Sequence, residues 1–204
     1  VNSSGAWINY KSEIESNVTD NAVKLVLQFS STGKVWIDYV SLLPQTTFKG
    51  HGLRQDIAQT LADMKPSFIR WPGGCIVEGM TMENRVQWKE TVGDRMSRKG
   101  QFDLWGYHNT GNFGYHDFLQ FCEDIGASGM WVVNTGLSCS VRNGDYYEMN
   151  EMKGIIQDIL DGIEYAIGDV STKWGAERAR NGHPAPFQLK YGEIGNENFG
   201  PKYN

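Results

Sequence analysis

The sequence has 204 residues, a hydrophobic fraction of 40% and an aromatic fraction of 12%, enough for one sizeable globular domain or one and a half. No apolar run reaches the roughly 18 residues that a membrane-spanning helix needs. A net charge of −5, with no Lys/Arg block, argues against nucleic acid and anionic membranes as partners.

Residues 6–44 read as β structure. Residues 6–14 alternate loosely, 22–30 alternate as AVKLVLQFS, and 34–43 follow a short Ser31-Thr32-Gly33 turn. They look like the last strands of an antiparallel sandwich, closed by Pro44, with a polar linker over 45–52. Residues 56–65 then predict a short amphipathic helix with Ile57, Leu61 and Met64 on one face, stopped by Pro66. A brief β-prone run over 67–71 meets Pro72-Gly73-Gly74. The stretch 75–114, rich in Trp, Gly and Asn, has no sustained period, and so long an irregular stretch in a compact domain is usually functional.

A helix is expected over 115–125, a buried-type strand over 130–134, and a helix over 151–170 with Ile155, Ile156, Ile159, Ile163 and Ile167 at helical spacing. A loop over 171–186 leads to a last strand over 187–195. Alternation of this kind predicts an α/β fold with a parallel sheet wrapped by helices. The three strands end in PGG, NTG and GNE, so the unusual residues gather at C-terminal strand ends, where a (β/α)8 barrel keeps its active site. Three strands cannot close such a barrel, so the chain reads as an internal piece of a longer protein.

The chemistry centres on Asn196-Glu197. A glycosidase needs one carboxylic acid to protonate the departing oxygen and a second carboxylate as nucleophile or base, and an adjacent amide can donate to a sugar hydroxyl. The plainer reading of the pair is a turn Asn beside a solvated Glu. Cys75 and Glu78 follow the two glycines on the loop over the pocket mouth; a buried inert thiol and a Glu paired with an arginine are the alternatives. Asn134 ends its strand at the same rim, as a substrate hydrogen-bonder or as the holder of a turn. Trp88, Trp105 and Tyr107 suit stacking on sugar faces and suit core packing equally. Arg70 is most simply read as an ion-pair partner of a carboxylate such as Glu193, and His116-Asp117 as a capping or surface pair. Metals and nucleotide cofactors find no support: the four His are scattered, the three Cys lack CxxC spacing, and GxxxxGK[ST], GxGxxG and GxSxG are missing. Asn2-Ser3-Ser4 and Asn17-Val18-Thr19 fit the N-glycosylation triplet, a pattern too common to fix a compartment.

Taken together and in order, FIRWPGGCIVEG, FGYHDFLQFCEDIG, WVVNTG and KYGEIGNE resemble glycoside hydrolase family 51, over about residues 34–204. The resemblance implies an α-L-arabinofuranosidase. Residues 1–44 would end a carbohydrate-binding-like β-sandwich, and 45–204 would hold barrel strands two to four. It implies a retaining mechanism with Glu197 as general acid/base and a nucleophile Glu after strand seven, outside this sequence. In the family the residue after PGG lies near the furanose, which makes Cys75 a candidate sugar contact, with Asn196, Glu78, Asn134 and Trp105 as further candidates. It implies arabinose-containing polysaccharide or oligosaccharide as substrate and the rest of the barrel as structural partner; no cofactor and no metal are expected, and the compartment is left open, with an extracellular or periplasmic setting favoured. A homo-oligomer is compatible with it. Another retaining barrel glycosidase, such as an endo-β-glucanase or xylanase, and a silent carbohydrate-binding module are the competing readings.

Overall fold

The computed structural model describes residues 5–199, 201 and 203, so the triplet at 2–4 and Gly200 lie outside the described residues. The chain divides into two units, one up to Asp38 and one from Tyr39 onward.

The described part of the first unit contains no helix and no strand. The strands expected over 6–14 and 22–30 are not formed, and their apolar side chains stay in solvent: Trp7 is 73% exposed and Val26 71%. Alternation decides which side chains share a face, but it supplies no ladder partner and no second layer to bury that face. Residues 39–43, the end of the third expected strand, are likewise irregular.

The second unit opens on a tight loop in which the Phe48 N–H donates to Leu53 O at 2.8 Å. Helix α1 (Gln55–Asp63) follows. It turns Ala58 and Ala62, not the expected Ile57 and Leu61, toward Phe48 and Phe121. Small side chains allow the close approach, and Ile57, Leu61 and Met64 remain exposed. Lys65 adopts a left-handed φ of 49° and Pro66 ends the element.

Strand β1 (Phe68–Trp71) leads into the short helix α2 (Gly74–Glu78). The long segment after it is held by two 3₁₀ turns and a small antiparallel pair, β2 (Gln101–Phe102) and β3 (His108–Asn109). Helix α3 (Tyr115–Ile125) matches the expected span and ends on Gly126 in the left-handed conformation. Its N-terminus is boxed by Asp117, which accepts from the Gly114 N–H at 3.0 Å and pairs with Arg95 and Arg98, each at 2.6 Å. Strand β4 (Ser128–Val133), helix α4 (Met152–Ile167), helix α5 (Lys173–Arg180) and strand β5 (Leu189–Ile194) complete the chain.

Helix α5 replaces the loop expected over 171–186. Its sequence, KWGAERAR, carries too little apolar periodicity to announce a helix. Thr172 caps it by accepting from the Gly175 N–H at 3.2 Å. Arg178, fully buried, spends its guanidinium on the carbonyls of Tyr165, Ala166, His183 and Pro184. A buried charge is tolerated when its donors are satisfied in this way.

β1, β4 and β5 form one parallel sheet in the order β1-β4-β5. Trp71 lies opposite Trp131, and Val133 opposite Ile194, so the C-terminal ends of all three strands reach one rim. One face of the sheet packs on an aromatic core of Trp88, Tyr115, Phe118, Trp131, Tyr165 and Phe187. Trp88 is thus a core residue, its indole N–H donating to Asp158 O at 2.9 Å. Gly162 lets α4 approach this core: a Cβ there would sit 2.2 Å from the Trp131 ring. Of the His116-Asp117 pair, Asp117 does the capping, while His116 is half-buried with its Nδ1 2.7 Å from the Tyr165 hydroxyl.

Candidate active site

The rim is assembled by one arginine. After Trp71 the chain turns through a cis peptide bond to Pro72 and reaches Gly73 at φ 62°. A Cβ on Gly73 would lie 2.3 Å from Nη1 of Arg70, so glycine there leaves the guanidinium its room. Arg70 uses that room to fork onto Glu193 of β5, with Nε donating to Oε2 at 2.5 Å and Nη2 to Oε1 at 2.6 Å. Its Nη2 also donates to Oδ1 of Asn196 at 3.1 Å. The hydrogen bond from Arg70 holds the Glu193 carboxyl below its usual range despite partial burial. Both side chains are about one-third exposed, so solvent screening keeps the energetic gain modest; what the pair supplies is geometry.

The Gly195 N–H donates to Val133 O at 2.9 Å and ties the start of the next turn to the end of β4. Asn196 then bridges two charged groups: its Oδ1 takes the Arg70 bond, and its Nδ2 donates to Oε2 of Glu78 at 3.5 Å. Glu197 follows with a left-handed φ of 47°. For a residue with a long side chain that conformation costs about 1–3 kcal/mol and persists only where surroundings enforce it. The Cys75 thiol donates to Glu197 Oε2 at 3.7 Å.

Cys75 and Glu78 occupy successive turns of α2 and are both buried. Burial, then the Cys139 thiol, then the charges of Glu78 and Glu197, push the Cys75 thiol up to about 12. Glu78 is also raised: burial and the charge of Glu197 outweigh hydrogen bonds from Asn196, Cys75 and Cys139. The arginine partner considered for Glu78 is replaced by an amide and two thiols.

Asn134 stands at the same rim with a different set of bonds. Its Nδ2 donates to Val77 O at 3.1 Å and Leu137 O at 2.9 Å, and its Oδ1 accepts from the Gly136 N–H at 2.6 Å. These bonds serve the turn and fasten it to α2. Trp105 is 56% exposed on the turn between β2 and β3. Its neighbour Leu104 packs on Cys75 and Cys139. Arg142 donates to Leu104 O at 2.9 Å and lies 5.9 Å above the Trp105 ring. The structure therefore gathers Glu197, Asn196, Cys75 and Glu78 directly, brings Trp105 to the margin through Leu104, and gives Asn134 a scaffolding position. The hollows under the long loop, lined by Trp71, Ile76, Glu90 and Phe113 or by Val77, Trp88 and Ile155, include neither Asn196 nor Glu197. Sequence reading missed Cys139 and Asn198, whose Oδ1 accepts from the Thr135 hydroxyl at 3.3 Å. A single Cys in LSCSV and the second Asn of NEN carry no spacing signal.

The profile of the "Alpha-L-arabinofuranosidase 1 domain" matches residues 60–204. The chain belongs to this family. The chain is 45% identical over 198 residues to α-L-arabinofuranosidase 1 of Arabidopsis thaliana, covering 97% of this chain and 29% of that protein. It is 36% identical to an extracellular exo-α-L-arabinofuranosidase of Streptomyces chartreusis, over 95% of this chain and 25% of the relative. Among solved structures, the arabinose-bound MgGH51 α-L-arabinofuranosidase is 44% identical with a TM-score of 0.71, covering 74% of this chain and 24% of that one. An arabinose complex of the Thermotoga maritima α-L-arabinofuranosidase is 29% identical with a TM-score of 0.59, over 74% and 27% of the two chains. This arabinofuranosidase-family chain thus spans under a third of the length of the relatives it matches, and its α/β fold with a parallel sheet agrees with its neighbours in family 51.

Proposed function

We propose that this chain is the acid/base-bearing part of a retaining exo-acting α-L-arabinofuranosidase that releases terminal arabinofuranosyl residues from arabinose-containing polysaccharides or oligosaccharides. β1, β4 and β5 are barrel strands two, three and four, and residues 1–44 belong to a preceding sandwich domain. The observation that carries the reading is Glu197 itself. It is a carboxylate on a strained turn at the C-terminal end of a parallel strand, beside an Asn clamped between Arg70 and Glu78.

In the first step Glu197 delivers its proton to the glycosidic oxygen as the bond to the anomeric carbon breaks. A second carboxylate, from a Glu outside this segment, forms the glycosyl-enzyme. Glu197, now a carboxylate, takes a proton from the water that hydrolyses that intermediate. Asn196 donates to a hydroxyl next to the anomeric centre, and Cys75 and Trp105 line the approach.

The full-length protein is assayed on aryl α-L-arabinofuranoside beside aryl β-glucoside and aryl β-xyloside. Turnover of the arabinofuranoside with retention of anomeric configuration is expected. Turnover confined to the β-pyranosides, or binding of polysaccharide without hydrolysis, would refute the proposal.

A further inference from the structure

A cluster beside Glu197 brings two thiols and a carboxylate together. The sulfurs of Cys75 and Cys139 and a carboxylate oxygen of Glu78 all lie within 4.8 Å of one another. The three residues are 8%, 2% and 5% exposed. Two come from one face of α2, three positions apart. The third is pinned to that helix by the Cys139 N–H, which donates to Gly79 O at 3.0 Å. Cys75 and Glu78 feel the negative charge of Glu197, while the guanidinium of Arg70 reaches Glu78 only through Asn196.

We propose that Cys75, Cys139 and Glu78 form a binding site for a soft divalent cation of the zinc class, and that a bound ion takes Glu197 as its fourth ligand. Two thiolates and a carboxylate are a ligand set that selects such ions over magnesium or calcium. In a tetrahedral site with metal–sulfur bonds of about 2.3 Å and metal–oxygen bonds of about 2.1 Å, neighbouring ligand atoms stand about 3.4–3.8 Å apart. Glu197, outside that 4.8 Å group, has to move toward Cys139 and Glu78, and the three-residue cluster needs to contract by about 1.2 Å at most to meet that geometry. The Cys75–Glu197 separation, 3.7 Å, already does. Binding balances as follows: both thiols and the Glu197 carboxyl release their protons to solvent, the ion receives two thiolates and the carboxylates of Glu78 and Glu197, and no electrons are exchanged. With Glu197 as fourth ligand, the acid/base carboxylate holds no transferable proton and the enzyme is blocked. The blocking half rests on the role proposed for Glu197; the binding half does not.

The test titrates reduced, chelator-treated full-length protein with Cd²⁺ alone, followed by ultraviolet thiolate-to-metal charge-transfer absorption and by proton release. One ion per chain, the absorption band and release of about three protons, two from the thiols and one from Glu197, are expected. Cys139→Ser should bind more than about 100-fold more weakly, whereas Cys122→Ala, altered in the aromatic core, should bind as the wild type does. Metal should raise the thermal midpoint of the wild type and Cys122→Ala but not of Cys139→Ser, a comparison made only on variants that keep the wild-type circular dichroism. Absence of the band at stoichiometric metal, or an unchanged band in folded Cys139→Ser, would overturn the site. Zn²⁺ should abolish arabinofuranosidase turnover with the same stoichiometry, reversibly on chelation. Full activity with the ion bound would overturn ligation by Glu197. A protein that gives the band yet never cleaves arabinofuranosides would sink the functional proposal and leave the metal site standing.

Discussion

Two asparagines end neighbouring strands at one rim and differ in what they hold. Asn134 turns inward: both its donor contacts and its acceptor go to backbone groups of its own turn and of α2. Asn196 reaches sideways to two charged side chains, Arg70 and Glu78, and leaves the next residue in a strained conformation. The first arrangement stabilises a turn; the second sets the position of a carboxylate. Residue type and strand-end location are the same in both, so neither one separates a structural Asn from a functional one. The partners do.

The difference can be pressed hardest at Glu197. In the full-length protein Glu197→Gln should lower turnover of substrates with poor leaving groups by about 10²–10⁴-fold, the range lost with a general acid. Activated aryl arabinofuranosides should suffer less, and the thermal midpoint should not fall. Equal loss on both kinds of substrate would count against the acid role. Next comes Arg70→Lys, which keeps the charge but cannot fork onto Glu193 and Asn196 together. We expect kcat to drop about 10–100-fold with a small change in KM; unchanged kcat would mean the clamp does not orient the Asn196-Glu197 turn.

Asn134→Ala should show the opposite profile. It strands the Gly136 N–H and the carbonyls of Val77 and Leu137, at a cost of about 1–3 kcal/mol. Activity per folded molecule should stay within a few-fold of wild type. A variant of normal stability with lost activity would move Asn134 to the functional side.

The smallest effect concerns the core away from the rim. Burial, chiefly, lowers the His116 pKa to about 4, against roughly 6.5 in an unfolded chain. Above pH 6.5 both states are neutral and the shift has no consequence. As pH falls toward 4 the unfolded chain takes up a proton that the folded one refuses, so stability declines through that window. Chemical denaturation from pH 7 down to pH 4.5 should show the decline, on the order of 2 kcal/mol, and His116→Asn should flatten it. An identical slope in the variant would assign it to other groups.

The sequence by itself determined the local elements of the second unit and where their special residues fall. Helix α3 matched its expected span, and the strands ending at PGG, NTG and GNE were placed because apolar runs bounded by Gly and Pro are local signals. The Arg70–Glu193 pair was legible for a related reason, since a half-buried charge on a strand needs an opposite charge. What the tertiary structure decided is whatever depends on a partner distant in the chain. The alternating stretch 22–30 stayed irregular although its pattern is as strand-like as that of 128–133, because a ladder exists only when another strand supplies its hydrogen bonds. Helix α5 forms because the α4 carbonyls Tyr165 O and Ala166 O, with those of His183 and Pro184, satisfy Arg178. Cys139 reached the Cys75–Glu78 cluster through the turn that Asn134 organises, across a separation no spacing rule spans. Strand ends are written locally; the identity of the group that meets each one there is set only when the sheet closes its register.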